Sequence, residues 1–250
     1  VVGISNRGGF ELATPYYINI APDRDATFSP RLLTDRGLQL NGEFRYLNPH
    51  SVGRLVGEYL PSDSEFGSDR SLVQLEHIGR FGQHFGIEAD YTRVSDDEYF
   101  EDLGSDLSST SQSQLERALE LSFAATGVRF SALVQSFQTL EDDDGTQTFR
   151  VEPYTRLPQA KLSLKSPTSP WQLGLDAEFA NFQRDDSVDG LRYDVRPRVG
   201  LGTDRGAWYA RSEASYRYTH YALRDTAPGS DDTLNRDIPS FSAESGLRFE

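Results

Sequence analysis

The feature that most constrains this chain is an alternation of side chains with a period of two. In Leu38-Gln-Leu-Asn-Gly-Glu-Phe-Arg-Tyr46, Leu38, Leu40, Phe44 and Tyr46 fall on one face, and Gln39, Asn41, Glu43 and Arg45 fall on the other. Successive side chains of an extended strand point to opposite faces, so this pattern specifies β-structure. It returns at Phe85-Gly-Ile-Glu-Ala-Asp-Tyr91, where Glu88 and Asp90 take the polar face, and in the runs that start at Trp171, Leu191 and Trp208. Turn-forming clusters separate the runs: Asp35-Arg-Gly37, Asn48-Pro-His-Ser51, Ala125-Thr-Gly127, Ser166-Pro-Thr-Ser-Pro170 and Thr203-Asp-Arg-Gly206. The stretch from Ser113 admits helical spacing at Leu115 and Leu119. Because Leu115, Arg117, Leu119, Leu121 and Phe123 also alternate, a strand is the better reading. The whole resolves into roughly thirteen strands, most of about ten residues, with no helix of standard length.

An all-β chain of this kind fits two architectures. One is a transmembrane antiparallel β-barrel, whose strands carry an apolar face toward lipid and a polar face toward an aqueous lumen. The other is a soluble β-sandwich with a solvated outer face. Hydrophobic residues are 36% of the chain, which is low for a domain that must fill its own core. Trp171, Trp208 and Tyr209 sit at strand starts, and Tyr46, Tyr59, Tyr91, Phe137 and Tyr218 sit toward strand ends, as aromatic girdles at two membrane interfaces would place them. Bacterial single-chain barrels usually close with an even strand count, and unpaired edges at membrane depth are costly, so roughly thirteen strands are either a miscount or about half of a larger barrel. A porin or nutrient transporter would share this rhythm.

Charge excludes some functions. The chain carries 39 acidic and 25 basic residues, a net charge of −14, which argues against nucleic acid as a partner. Only Lys161 and Lys165 are lysines; the other bases are arginine, suited to ion-paired polar surfaces. There is no cysteine, hence no disulfide or thiolate metal site in this chain. His50, His77, His84 and His220 are scattered without ligand spacing. Gly200-Leu-Gly202 lacks a phosphate-loop context and reads as a strand end. The acidic clusters Asp96-Asp-Glu98 and Asp142-Asp-Asp144 read as solvated loop charge rather than Ca²⁺ or Mg²⁺ ligands. No catalytic cluster, metal site or cofactor site emerges, so an outer-membrane enzyme is disfavoured.

Pro15 and Pro30 interrupt the first two strands. Proline cannot donate to a ladder, so both positions weaken strand pairing. The segments around them resemble a known family, the lipopolysaccharide-assembly outer-membrane proteins (LPS-assembly protein D). The resemblance lies in Pro15-Tyr-Tyr-Ile-Asn-Ile-Ala-Pro-Asp-Arg-Asp-Ala-Thr-Phe-Ser-Pro30 and in Arg36-Gly-Leu-Gln-Leu-Asn-Gly-Glu-Phe-Arg-Tyr-Leu47. It continues in Tyr59-Leu-Pro-Ser-Asp63, in Asp90-Tyr-Thr-Arg-Val-Ser-Asp-Asp-Glu-Tyr-Phe-Glu-Asp-Leu-Gly104 and in Pro153-Tyr-Thr-Arg-Leu-Pro-Gln159.

The resemblance implies a barrel of about twenty-six strands, at the upper end of the single-chain range, of which this chain is the N-terminal half. Residues 1–9 would be the exit of a preceding periplasmic β-jellyroll domain, and residues 10–250 the N-terminal part of the barrel. It also implies a location in the outer membrane of a Gram-negative bacterium. The implied partners are lipopolysaccharide, a lipoprotein plug inside the barrel and a periplasmic bridge protein that delivers the lipid. Lipid would leave through a lateral gate beside the first strand, with Pro15 and Pro30 as gate residues. Glu43, Arg45, Glu88 and Asp90 would face the lumen. With a periplasmic N-terminus, the longer connections, such as 62–69 and 95–113, fall on the periplasmic side.

Overall fold

The computed structural model describes residues 1–5, 7–104, 113–140, 152–166, 170–185 and 187–248. The described residues form fifteen strands and one short helix, with the strands paired in the order β1-β2-β4-β5-β6-β7-β8-β9-β10-β11-β12-β13-β14-β15 and β3 also on β4. Two more strands appear than the alternation suggests. Pro15 divides the first long strand into β2 (Gly9–Ala13) and β3 (Tyr16–Ala21), and β1 (Val2–Ser5) adds a short strand beside β2.

The chain divides into two compact units. The first comprises 1–81, 86–119 and 136–152; the second comprises 82–85, 120–135 and 153–250. In the first, β4 (Arg24–Leu33), β5 (Gly37–Asn48), β6 (Ser51–Leu60) and β7 (Arg70–Phe81) form successive antiparallel hairpins. The pairs Pro30–Leu40, Leu40–Tyr59 and Phe44–Leu55 carry one apolar face across these strands. That face is exposed: Phe28, Leu38, Leu40, Leu55 and Tyr59 all show a large fraction of their surface. A soluble sandwich would bury them against a second sheet. β8 (Phe85–Val94), β9 (Gln114–Ala125) and β10 (Val128–Thr139) continue the pairing order. The segment from Ser113 to Leu121 is therefore strand, as its alternation indicates.

The buried cluster of the first unit lies at one end of its strands. Leu33, Leu60, Leu72, Val94, Leu115 and Leu140 pack there with Tyr99, Phe100 and Leu103 of α1 (Tyr99–Leu103). Leu33 and Leu72 stand on the polar face, alternating with Leu32 and Val73 of the apolar face, so α1 covers the polar face.

In the second unit, β11 (Thr155–Lys165), β12 (Trp171–Gln183), β13 (Asp189–Asp204), β14 (Trp208–Arg224) and β15 (Thr233–Leu247) are long antiparallel neighbours. Gly200 and Gly202 lie within β13 and pair with Glu213 and Arg211, so they do not end that strand. β14 and β15 also extend further into the 222–236 connection than its polar composition suggests, because the ladder from Asp189–Arg224 and Ala222–Thr233 pays the polar residues' backbone hydrogen bonds. Tyr218 consequently sits inside β14 rather than near its end.

Candidate functional site

The interrupted first strand is the most distinctive local geometry. Ala13 faces Arg31 and Tyr16 faces Phe28, so the register against β4 passes through the Thr14–Pro15 break without a shift. The Thr14 N–H donates to the Pro30 carbonyl at 3.1 Å. A narrow antiparallel pair would exchange a second bond, from residue 30 to the Thr14 carbonyl. Pro30 has no N–H to supply it.

Pro15 acts on the other side of the strand. Thr14 turns its N–H toward β4, so the Pro15 nitrogen turns away from β4. That is the side on which the Ala13 N–H donates to the Val1 carbonyl at 2.9 Å. Past Val1, no strand among the described residues pairs with this side of β3. Tyr16 is 69% exposed, and Tyr17, Ile18 and Ile20 are exposed with it. The two prolines thus remove donors on opposite sides of the first strand: Pro30 on the side of β4, Pro15 on the side turned away from it. Sequence reasoning assigns both to one seam; the backbone directions separate them.

The polar face of the first unit carries Glu43, Arg45, Glu88 and Asp90. Arg45 makes a two-pronged pair with Asp25, at 2.9 Å from Nε and 3.0 Å from Nη2. Glu43 accepts from Arg54 Nε at 2.7 Å. Asp90 shares its surroundings with Glu76, Glu88 and Glu116, an acidic patch formed because alternate residues of neighbouring strands share a face. Glu43 and Arg45 are thus held by different partners, and neither is brought to Glu88 or Asp90 by a direct bond.

A third feature escapes sequence reasoning. Arg36 donates from Nη1 to Asp63 at 2.9 Å and from Nη2 to Asp102 at 3.0 Å. Arg70 donates from Nη1 to Asp102 at 2.7 Å and to Asp63 at 3.3 Å, and from Nε to Asp96 at 3.0 Å. The side chains of Arg70 and Asp63 are fully buried. The Arg70 guanidinium lies 4.4 Å from the centre of the Phe66 ring, a cation–π geometry. Arg31 ties in the first strands: it donates to the Leu103 carbonyl at 2.9 Å and to Glu11 at 2.8 Å. Tyr99 Oη donates to Glu58 at 2.8 Å. Two buried guanidinium groups therefore clamp α1 and the 61–69 connection onto the strand ends.

Electrostatics reinforce the clamp. Burial pushes the Asp63 carboxyl up, but the Arg36 guanidinium and the backbone N–H groups of Glu65 and Phe66 outweigh it and hold the group below the usual carboxylate range. Burial, and then the charge of Glu58, push the Tyr99 phenol well above its ordinary value, so it stays a neutral donor. Asp96 belongs to this clamp and is not solvated loop charge: its carboxylate is occupied by Arg70. The signal in the sequence is the apolar set Tyr99, Phe100 and Leu103 inside an otherwise acidic connection. Asp142, Asp143 and Asp144 lie outside the described residues.

His77 meets Tyr46 Oη through Nδ1, and His84 Nδ1 meets the Ala124 carbonyl at 2.8 Å. No group of acidic, histidine or cysteine side chains suited to holding a metal is found among the described residues.

Comparison with known proteins gives a consistent picture. Residues 68–250 match the family model "LptD: LPS transport system D". The LPS-assembly protein LptD of Aromatoleum aromaticum is 39% identical, over 100% of this chain and 31% of that protein. The same-named proteins of Nitrosococcus oceani and Alkalilimnicola ehrlichii are 37% and 38% identical over 99% and 98% of this chain. The chain thus spans about a third of the length of these relatives. Among solved structures, the crystal structure of Pseudomonas aeruginosa OccK5 (OpdH) overlaps 98% of this chain and 75% of its own, at 10% identity and a TM-score of 0.33. Given the extent of the match to the family model, this chain belongs to the LptD family of LPS transport proteins.

Proposed function

We propose that this chain is the N-terminal part of an outer-membrane barrel that receives lipopolysaccharide from a periplasmic bridge protein and releases it into the outer leaflet. Release occurs laterally, between the Pro15 strand and the closing strand of the full-length protein, with a lipoprotein plug in the lumen. Residues 1–9 are the exit from a periplasmic domain, and the polar face with Glu43, Arg45, Glu88 and Asp90 lines the lumen. The protein performs transport and no chemistry of its own.

The observation that carries this reading is the donor missing at Pro15, just before β3, on the side where no described strand pairs with β3. A seam that must open repeatedly gains from fewer ladder bonds, each worth about 0.5–1.5 kcal/mol net. Its exposed apolar face and charged opposite face suit a wall between lipid and water. A porin has no need for a weakened edge, because its cargo leaves along the barrel axis.

The test is site-specific photocrosslinking from Tyr17 in the full-length protein in cells. Lipopolysaccharide adducts are expected. Their absence, with the protein folded and in the membrane, would return the chain to the porin or transporter class.

A further inference from the structure

The polar face of the second unit holds a surplus of cations in an open groove of about 520 Å³. Arg129, Lys161, Arg196 and Arg217 line it together with Asp176, Glu178 and Asp194. The strand register sets the arrangement. Arg129 lies opposite Ser163, Ser163 opposite Asp176, and Asp176 opposite Arg196. Lys161 lies between Ser131 and Glu178 in the next row.

Opposed charges would be expected to pair across this register. The carboxylates are instead engaged elsewhere. Asp176 takes Ser163 Oγ at 2.8 Å and Arg198 at 2.8 Å. Glu178 takes Arg192 and Gln159. Asp194 takes Arg217 at 2.8 Å and Thr219 at 2.6 Å. Among the described residues, Arg129, Lys161 and Arg196 are left without an ion-pair partner. The Arg196 guanidinium reaches only Ser215 Oγ, at 3.3 and 3.4 Å.

Three buried side-chain atoms of β11 and β13 also lack a partner. Arg192 Nε and Arg198 Nε have no acceptor, and Gln159 Oε1 has no donor. Gln159 is 4% exposed and stands two residues from Lys161 on the same face of β11.

We infer that this groove is a subsite for a phosphate-bearing glycan, with Arg129, Lys161 and Arg196 offering donors to its phosphates and Ser131 meeting a sugar hydroxyl. The inference rests on the transport reading above, and it assigns the glycan part of lipopolysaccharide to this wall. Guanidinium groups suit phosphate because their donors match its oxygens two at a time. Short side chains, Ser122, Ser131 and Ser163, line the groove beside the cations, together with Phe123, Phe130 and Leu162.

The test uses the full-length protein in its native membrane, with a photoreactive residue at Ser163 and, separately, at Tyr17. Lipopolysaccharide adducts are expected at both. Replacing Arg129→Gln, Lys161→Gln and Arg196→Gln together should lower the Ser163 adduct at least about tenfold, as expected when charge-assisted bonds are lost. The charge-retaining set Arg129→Lys, Lys161→Arg and Arg196→Lys should keep it, separating charge from folding. Lipopolysaccharide lacking core phosphates should lose the adduct, whereas material lacking only lipid-anchor phosphates should keep it. Adducts at Tyr17 with none at Ser163, a protein adduct at Ser163, or loss that follows the anchor phosphates would each overturn the subsite. No adduct at either position would instead remove the transport reading itself.

Discussion

Pro15→Ala and Pro30→Ala should behave differently, because their nitrogens point to opposite sides of the first strand. The new N–H of Pro30→Ala faces the Thr14 carbonyl, across a pair already joined by the 3.1 Å bond from Thr14 to residue 30. It therefore completes the hairpin between the first strand and β4. The new N–H of Pro15→Ala turns away from β4, to the side on which Ala13 meets Val1; on the transport reading its partner is the strand that closes the full-length barrel. One ladder bond contributes about 0.5–1.5 kcal/mol net, which shifts an open–closed equilibrium roughly two- to tenfold. Pro15→Ala alone should reduce opening by that factor, and Pro30→Ala should stiffen the hairpin with a smaller effect on release. The double variant should resemble Pro15→Ala. The assay is the yield of lipopolysaccharide crosslinked at Tyr17 in full-length protein, read beside outer-membrane permeability to a large antibiotic. If Pro30→Ala matches or exceeds Pro15→Ala, the assignment of nitrogen directions to seam and hairpin is wrong. If neither variant changes export, the weakened edge is not the gate.

Three further outcomes follow from the clamp over α1. Arg70→Met should destabilise the strand ends by about 3–5 kcal/mol, because it leaves Asp63, Asp96 and Asp102 short of a buried counter-charge; protease cleavage within residues 95–104 of the folded protein reports it. Tyr99→Phe should cost about 1–3 kcal/mol in the same assay, since Glu58 and Gln39 lose a buried partner while the ring packing remains. For pH, the Asp63 carboxyl is held below its unfolded value near 4, so its stabilising contribution is complete above that value and is lost as pH falls through the lower folded value. Cleavage within 95–104 should therefore be constant from neutral pH down to about 4 and rise only below it; a rise near pH 6 would contradict the assignment.

The alternation made strand structure and its two faces legible without coordinates. Leu38, Leu40 and Phe44 against Gln39, Asn41 and Glu43 already name the faces, since a strand has only two. The turns at Asp35–Gly37 and Asn48–Ser51 were legible for a similar local reason: glycine, proline and asparagine state their own backbone preferences. Pro15 and Pro30 were visible as missing donors, because proline lacks its N–H in any fold; Pro15 breaks its strand, whereas β4 runs unbroken through Pro30. What each proline interrupts was not visible, because nitrogen direction depends on which neighbour Thr14 bonds.

Pairing between distant residues was decided by the tertiary structure alone. Asp96 reads as solvated charge until the fold brings Arg70 to it across twenty-six positions of chain. Arg129, Lys161 and Arg196 read as ordinary strand charge until the register shows that the nearby carboxylates are already taken. An alternating sequence therefore determined that this chain makes long two-faced strands with a weakened first one. Only the three-dimensional register decided which charges satisfy each other and which are left unpaired, because hydrogen bonds and ion pairs act over a few ångströms in space and carry no mark in the order of residues.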